Sequence, residues 1–67
     1  MELPDKIYDE VDALSAEGND LMDGERFDAA IDKWMQALDL LPEPKMDWEA
    51  YMWLSASIGD AQYQQNN

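Results

Sequence analysis

The sequence predicts an all-α fold: one small domain of three antiparallel helices, near residues 5–23, 26–41 and 47–65, with no strand. Three observations carry that prediction. Apolar residues recur at steps of three and four through three stretches of the chain, the spacing of one helix face. Gly24, and later Pro42 with Pro44, punctuate the chain between those stretches. The 67 residues make one domain at most.

The first helix is carried by Leu3, Ile7, Val11, Leu14, Leu21 and Met22, with Gly18 on the same stripe. Pro4 suits its first position, where the missing N–H would have no partner. Asp5, Asp9 and Glu10 sit near the positive end of the helix dipole. Gly24 is expected to end the helix with positive φ.

The second helix is carried by Phe27, Ala30, Ile31, Trp34, Ala37, Leu38 and Leu41, with Asp28 and Asp32 on the opposite face. Trp34 is expected to be buried between the first two helices. Pro42 and Pro44 then break the chain, since proline lacks the N–H and restricts the residue before it. Residues 43–46 form the expected loop.

The third helix is expected to begin at Asp47, a good N-cap. Its apolar residues do not keep to one stripe. Trp48, Met52 and Ser55 define one face; Ala50, Trp53, Leu54, Ser57 and Ala61 define another. A helix apolar on most sides calls for neighbours on more than one side.

Composition narrows the chemistry. A chain this short buries about 60% of its unfolded surface and draws roughly 3–5 kcal/mol from its core. It has no cysteine to form a disulfide. It also lacks histidine, so the usual ligands for zinc, haem, copper and iron–sulfur sites are missing, as are Ser–His and Cys–His pairs. No cofactor is expected. Sixteen acidic residues face four basic ones, for a net charge of −12. That balance repels nucleic-acid phosphates and anionic membranes, and steers basic partners inward. The longest apolar run is Tyr51 to Leu54, against about 20 residues for a membrane span. Met1-Glu2-Leu3-Pro4-Asp5 does not resemble a signal peptide. A cytoplasmic location is expected.

Gly18-Asn19, Phe27, Ala30-Ile31, Trp34, Ala37-Leu38, Leu40 and Pro42 resemble one tetratricopeptide repeat. Leu14-x2-Glu17-Gly18-x2-Leu21, Ala30-x3-Trp34 and Pro42 match the spacings of the repeat pattern; Glu17, Leu14 and Leu21 depart from its residue types, and the glycine of the turn stands one place early. Ile58-Gly59-Asp60-Ala61 resembles the same register in the first helix of a second repeat. Gly18 and Gly59 are 41 residues apart, seven beyond the ~34-residue period. Seven residues add about 10.5 Å of helix, expected at the start of the third helix, around residues 47–53. The resemblance implies a truncated repeat domain in which Gly18, Ala30 and Ala37 permit close helix packing while Trp34 and Phe27 fill the core between.

Catalytic and metal chemistry find little support. Asp9, Asp12, Glu17, Asp20 and Asp23 have no nucleophile beside them, and a deep cleft needs more chain. A calcium loop centred on Gly24 fails, because Leu21 and Ala30 would stand at its third and twelfth ligand positions. The repeat resemblance implies instead a groove lined by Asp12, Ser15, Asn19, Met22 and Asp23, continued by Trp53, Ala56, Asp60, Tyr63 and Gln64. Ser15 and Ala16 stand where lysine would hold an acidic tail, so a basic or neutral ligand is expected. Trp48, Tyr51, Met52, Leu54 and Ile58 are the expected self-association face of a homodimer. The third helix swapped about Pro42–Pro44 is an alternative form of it.

The leading expectation is therefore a non-enzymatic protein-interaction module. The alternatives are a bacterial immunity or antitoxin protein masking a basic toxin, and a fragment of a longer repeat array.

Overall fold

The computed structural model describes residues 4–66. Leu3, at the head of the first apolar stripe, lies outside the described residues. Three helices account for most of the chain: α1 (Asp5–Asp23), α2 (Phe27–Leu40) and α3 (Glu49–Gln65), with a short 3-10 turn at Lys45–Asp47. The described residues contain no strand. Pro4 lies just outside α1, where its carbonyl accepts the first helical bond from Tyr8 N–H at 3.0 Å.

A tight turn reverses the chain between α1 and α2. The Arg26 N–H reaches back to the Leu21 carbonyl at 2.9 Å, and the Glu25 N–H to the Met22 carbonyl at 3.0 Å. These bonds satisfy carbonyls that the end of any helix leaves open. Such a closure needs one residue in the left-handed region, and the structure corrects which residue that is. Gly24 has φ −87°, while Glu25 carries φ 61°. The positive φ falls one place after the glycine.

A second reversal joins α2 to α3. Leu41 is extended, as the following proline requires, with φ −71° and ψ 131°. The Lys45 ammonium donates to the carbonyls of Leu41 at 2.7 Å, Leu38 at 3.1 Å and Asp39 at 3.3 Å. It thus caps the C-terminal end of α2, where a cation also meets the negative end of the dipole. The Trp48 indole N–H donates to the Pro42 carbonyl at 2.8 Å, closing the loop from its far side. The expected start of the third helix is corrected here. Asp47 belongs to the 3-10 turn, and α3 begins at Glu49 with Trp48 at the cap position and no side-chain cap bond. The stretch around residues 47–53, expected to extend the helix at its start, therefore lies partly in this turn.

Both α1 and α3 pack on α2 and scarcely touch each other. The Gln65 amide at the end of α3 donates to the Asp28 carboxylate at the start of α2, the arrangement of antiparallel neighbours. The buried core is Val11, Ala30, Trp34, Ala37, Leu41, Trp48, Ala50, Leu54 and Ala61. Ala30 and Ala37 are fully buried, so α2 meets its neighbours with backbone close to backbone. Between them Trp34, 2% exposed, lies against Gly18. A Cβ built on Gly18 would stand 2.3 Å from the Trp34 ring nitrogen. That nitrogen donates to the Ser15 carbonyl at 3.4 Å. The expected burial of Trp34 between the first two helices is what the structure holds.

Candidate functional site

Helix α1 presents one face to the core and the other to water. Val11 and Gly18 are buried on the inner face. Asp5, Asp9, Asp12, Ala16, Asn19, Asp20 and Asp23 follow one another at helical steps on the outer face, and all are exposed. Their Cα atoms extend over about 27 Å of helix at 1.5 Å per residue. Among the described residues the stripe forms no ion pair. The salt bridge that does form, Lys33 to Glu17 at 3.2 Å, draws on a carboxylate of the neighbouring face. Five aspartates thus share one solvated strip with two small or neutral residues between them.

The residues expected to line a groove fall into two groups. On α1, Asp12, Asn19 and Asp23 are exposed, while Ser15 and Met22 are half-buried. Met22 packs on the core, and the Ser15 carbonyl holds the Trp34 indole. On α3, Ala56, Asp60, Tyr63 and Gln64 are exposed, and Trp53 is 40% exposed. The two groups thus lie on helices that each pack on α2 and scarcely touch each other. Asp5, Asp9 and Asp20 belong to the acidic strip and were absent from the expected groove. Their signal was the four-then-three spacing of Asp5, Asp9 and Asp12.

The expected self-association face is corrected. Trp48 is 8% exposed and Leu54 is fully buried. Tyr51 and Ile58 are half-buried and pack against the core. Of that set only Met52 faces water, at 69%. The reason is the turn before α3: its bond to Pro42 folds Trp48 inward, and the ring occupies the core end of α3.

Other features offer less. An open depression of about 310 Å³ lies at the start of α2, lined by Glu25, Arg26, Phe27, Asp28, Ala29 and Gln65. Its carboxylates and guanidinium face solvent rather than converge on an enclosed space. Among the described residues no three carboxylates are gathered as metal ligands, and no helix is long and apolar enough to cross a membrane. Comparison with known proteins finds no matching family model, no matching curated protein and no matching solved structure.

Proposed function

We propose that this chain is a cytoplasmic, non-enzymatic protein-interaction module of tetratricopeptide type, and that the acidic strip of α1 docks on a basic protein surface. The observation that carries the reading is the strip itself: Asp5, Asp9, Asp12, Asp20 and Asp23, all exposed on one helix face. A cationic surface approaching it gains several attractions at once, and a net charge of −12 steers such a surface from a distance. The repeat-type reading is supported by the Gly18–Trp34 contact and by the buried Ala30 and Ala37, since these are the positions at which the resemblance calls for small residues. The same charge favours a second reading, an immunity-type protein that masks a basic toxin; both predict the same docking chemistry.

The test is calorimetric titration with a Lys- and Arg-rich helical peptide. Each exposed pair contributes about 0.2–1 kcal/mol. Neutralising Asp9, Asp12 and Asp20 to Asn is therefore expected to weaken binding about tenfold. The same charge change at Asp32, Asp39 and Glu43 leaves it nearly unaltered. Equal losses from both triple variants would mean that net charge alone, not the strip, attracts the peptide. Binding indifferent to salt would defeat the electrostatic reading.

A further inference from the structure

We infer that two copies of this chain pair through the outward face of α3, antiparallel and about a two-fold axis. That face carries Met52, Ala56, Gly59 and Tyr63, all exposed, Met52 at 69% and Tyr63 at 70%. It is turned away from Ala50, Leu54 and Ala61, which α3 buries against the core. This surface lies on a different helix from the acidic strip, so it goes beyond the docking reading and stands or falls without it.

Three observations select a second copy as the occupant. The first is spacing. The four residues are separated by steps of four, three and four, a pattern that reads the same in both directions. An antiparallel copy of the helix therefore meets this one in register, Met52 against the partner's Tyr63 and Ala56 against the partner's Gly59. One more step of three at each end reaches Glu49 and Asn66, so each Glu49 meets the partner's Asn66 and not a second carboxylate. Alternating steps of three and four are those with which two helices lie along each other at a shallow angle.

The second observation is room. Gly18 and Gly59 are both helical glycines, yet only Gly18 is covered, by Trp34. A Cβ on Gly59 would meet nothing within 4 Å. Ala56 and Gly59 at the centre let two backbones approach, while Met52 and Tyr63 cover the ends of the contact. Four apolar or small positions on one exposed face of a helix form a patch that water does not favour.

Charge is the third. Helix α3 holds two of the sixteen carboxylates, Glu49 and Asp60, whereas α1 holds seven. Two chains of −12 each repel, and they meet on α3 with far less repulsion than on α1. Closed two-fold pairs are also the commonest symmetry of soluble assemblies. A helix face about 25 Å long buries less than the ~800 Å² per partner of a standard interface, so the association belongs in the micromolar range or weaker.

Sedimentation velocity from low micromolar to millimolar concentration reads the result. The expected outcome is a species of twice the 7.7 kDa chain mass, growing with concentration and with added NaCl. Ala56→Glu should abolish it and retain the helical circular dichroism. Ala13→Glu adds the same charge to an exposed position of α1 and should leave the pair intact. Register is read independently by cross-linking, because the chain has no cysteine of its own. Met52→Cys and Tyr63→Cys chains, mixed, should join through a short bifunctional maleimide. Either variant alone should not, since like positions lie about 16 Å apart along the axis. A monomer at every concentration and salt, a pair that survives Ala56→Glu, or cross-linking within a single variant overturns the inference. So does a chain that stays monomeric and binds a Leu/Lys amphipathic helical peptide through a site lost in Ala56→Glu, which would assign the face to a basic partner.

Discussion

At the scale of single residues, the three glycines of this chain do three different things, and only one role could be read from sequence with its reason. Gly18 sits on the apolar stripe of α1, and the small residue there predicted close packing. The structure supplies the cause, an indole ring where a methyl would stand. Gly18→Ala gains about 1 kcal/mol of helix propensity but must displace a buried ring, which costs about 1–3 kcal/mol. We expect a net loss, seen as a lower urea midpoint. Gly59→Ala makes the same propensity gain with open space around it, and should raise the midpoint when measured on the dilute monomer. If the two substitutions shift stability in the same direction, the Gly18–Trp34 contact is misassigned. Gly24 shows what sequence could not give. Turn rules assign positive φ to glycine, but the reversal into α2 places that conformation at Glu25, with φ 61°. A side chain in this region costs about 1–2 kcal/mol, partly offset because glycine is freer when unfolded. Glu25→Gly should therefore stabilise the chain by about 0.5–1 kcal/mol, measured by the same denaturation. A loss would mean that the Glu25 side chain contributes an interaction of its own.

At the scale of elements, the bounds of α1 were legible because its apolar spacing runs between Pro4 and Gly24, although Pro4 stands at the cap position outside the helix and Gly24 does not carry the positive φ. The start of α3 was not. Asp47 has the chemistry of an N-cap, and a local rule has no sight of the distant bonds that place it in a 3-10 turn. Those bonds are made by Lys45 to three carbonyls of the α2 end and by Trp48 to Pro42. The same blindness put Trp48 and Leu54 on the expected outer face: a helix apolar on most sides does not announce which side is covered. Lys45 is one of four basic residues in a strongly acidic chain, and its ammonium serves backbone rather than carboxylates. Hydrogen bonds to a charged group contribute about 1.5–3 kcal/mol when well made; half-buried Lys45 should give the lower part of that range. Lys45→Met keeps most of the stem and removes the donors. It should lower stability by about 1–2 kcal/mol and increase amide exchange at the end of α2. A variant with unchanged exchange there would show that water replaces the ammonium without cost.

At the scale of the whole molecule, charge was fully legible and its arrangement only partly so. The excess of sixteen acidic over four basic residues is plain in the sequence, whereas its concentration on α1, and the separation of α1 from α3 by α2, emerge from the fold. The concentration has a consequence for stability. Seven carboxylates on α1, with Lys6 as the one basic residue of that helix, repel one another more in the folded helix than in an expanded chain. Salt screens this repulsion, with a Debye length falling from ~10 Å at 0.1 M to ~3 Å at 1 M. Salt also weakens the Lys33–Glu17 pair, but that pair is solvent-exposed and contributes at most about 1 kcal/mol. The repulsive side involves more groups over the length of α1, so it should dominate. Melting should rise with NaCl between about 0.05 and 1 M; a gain of 1 kcal/mol corresponds to about 4–8 °C in a domain of this size. Sodium chloride is the right salt, because sulfate would strengthen apolar burial for a separate reason. The Ala56→Glu chain keeps self-association out of the measurement, and its melting should not depend on protein concentration. Removing two aspartates of the strip, as Asp9→Asn and Asp12→Asn, should raise melting at low salt and flatten the salt response. A melting temperature that falls with NaCl would mean that attractive pairs, not the acidic strip, govern the electrostatics of the fold.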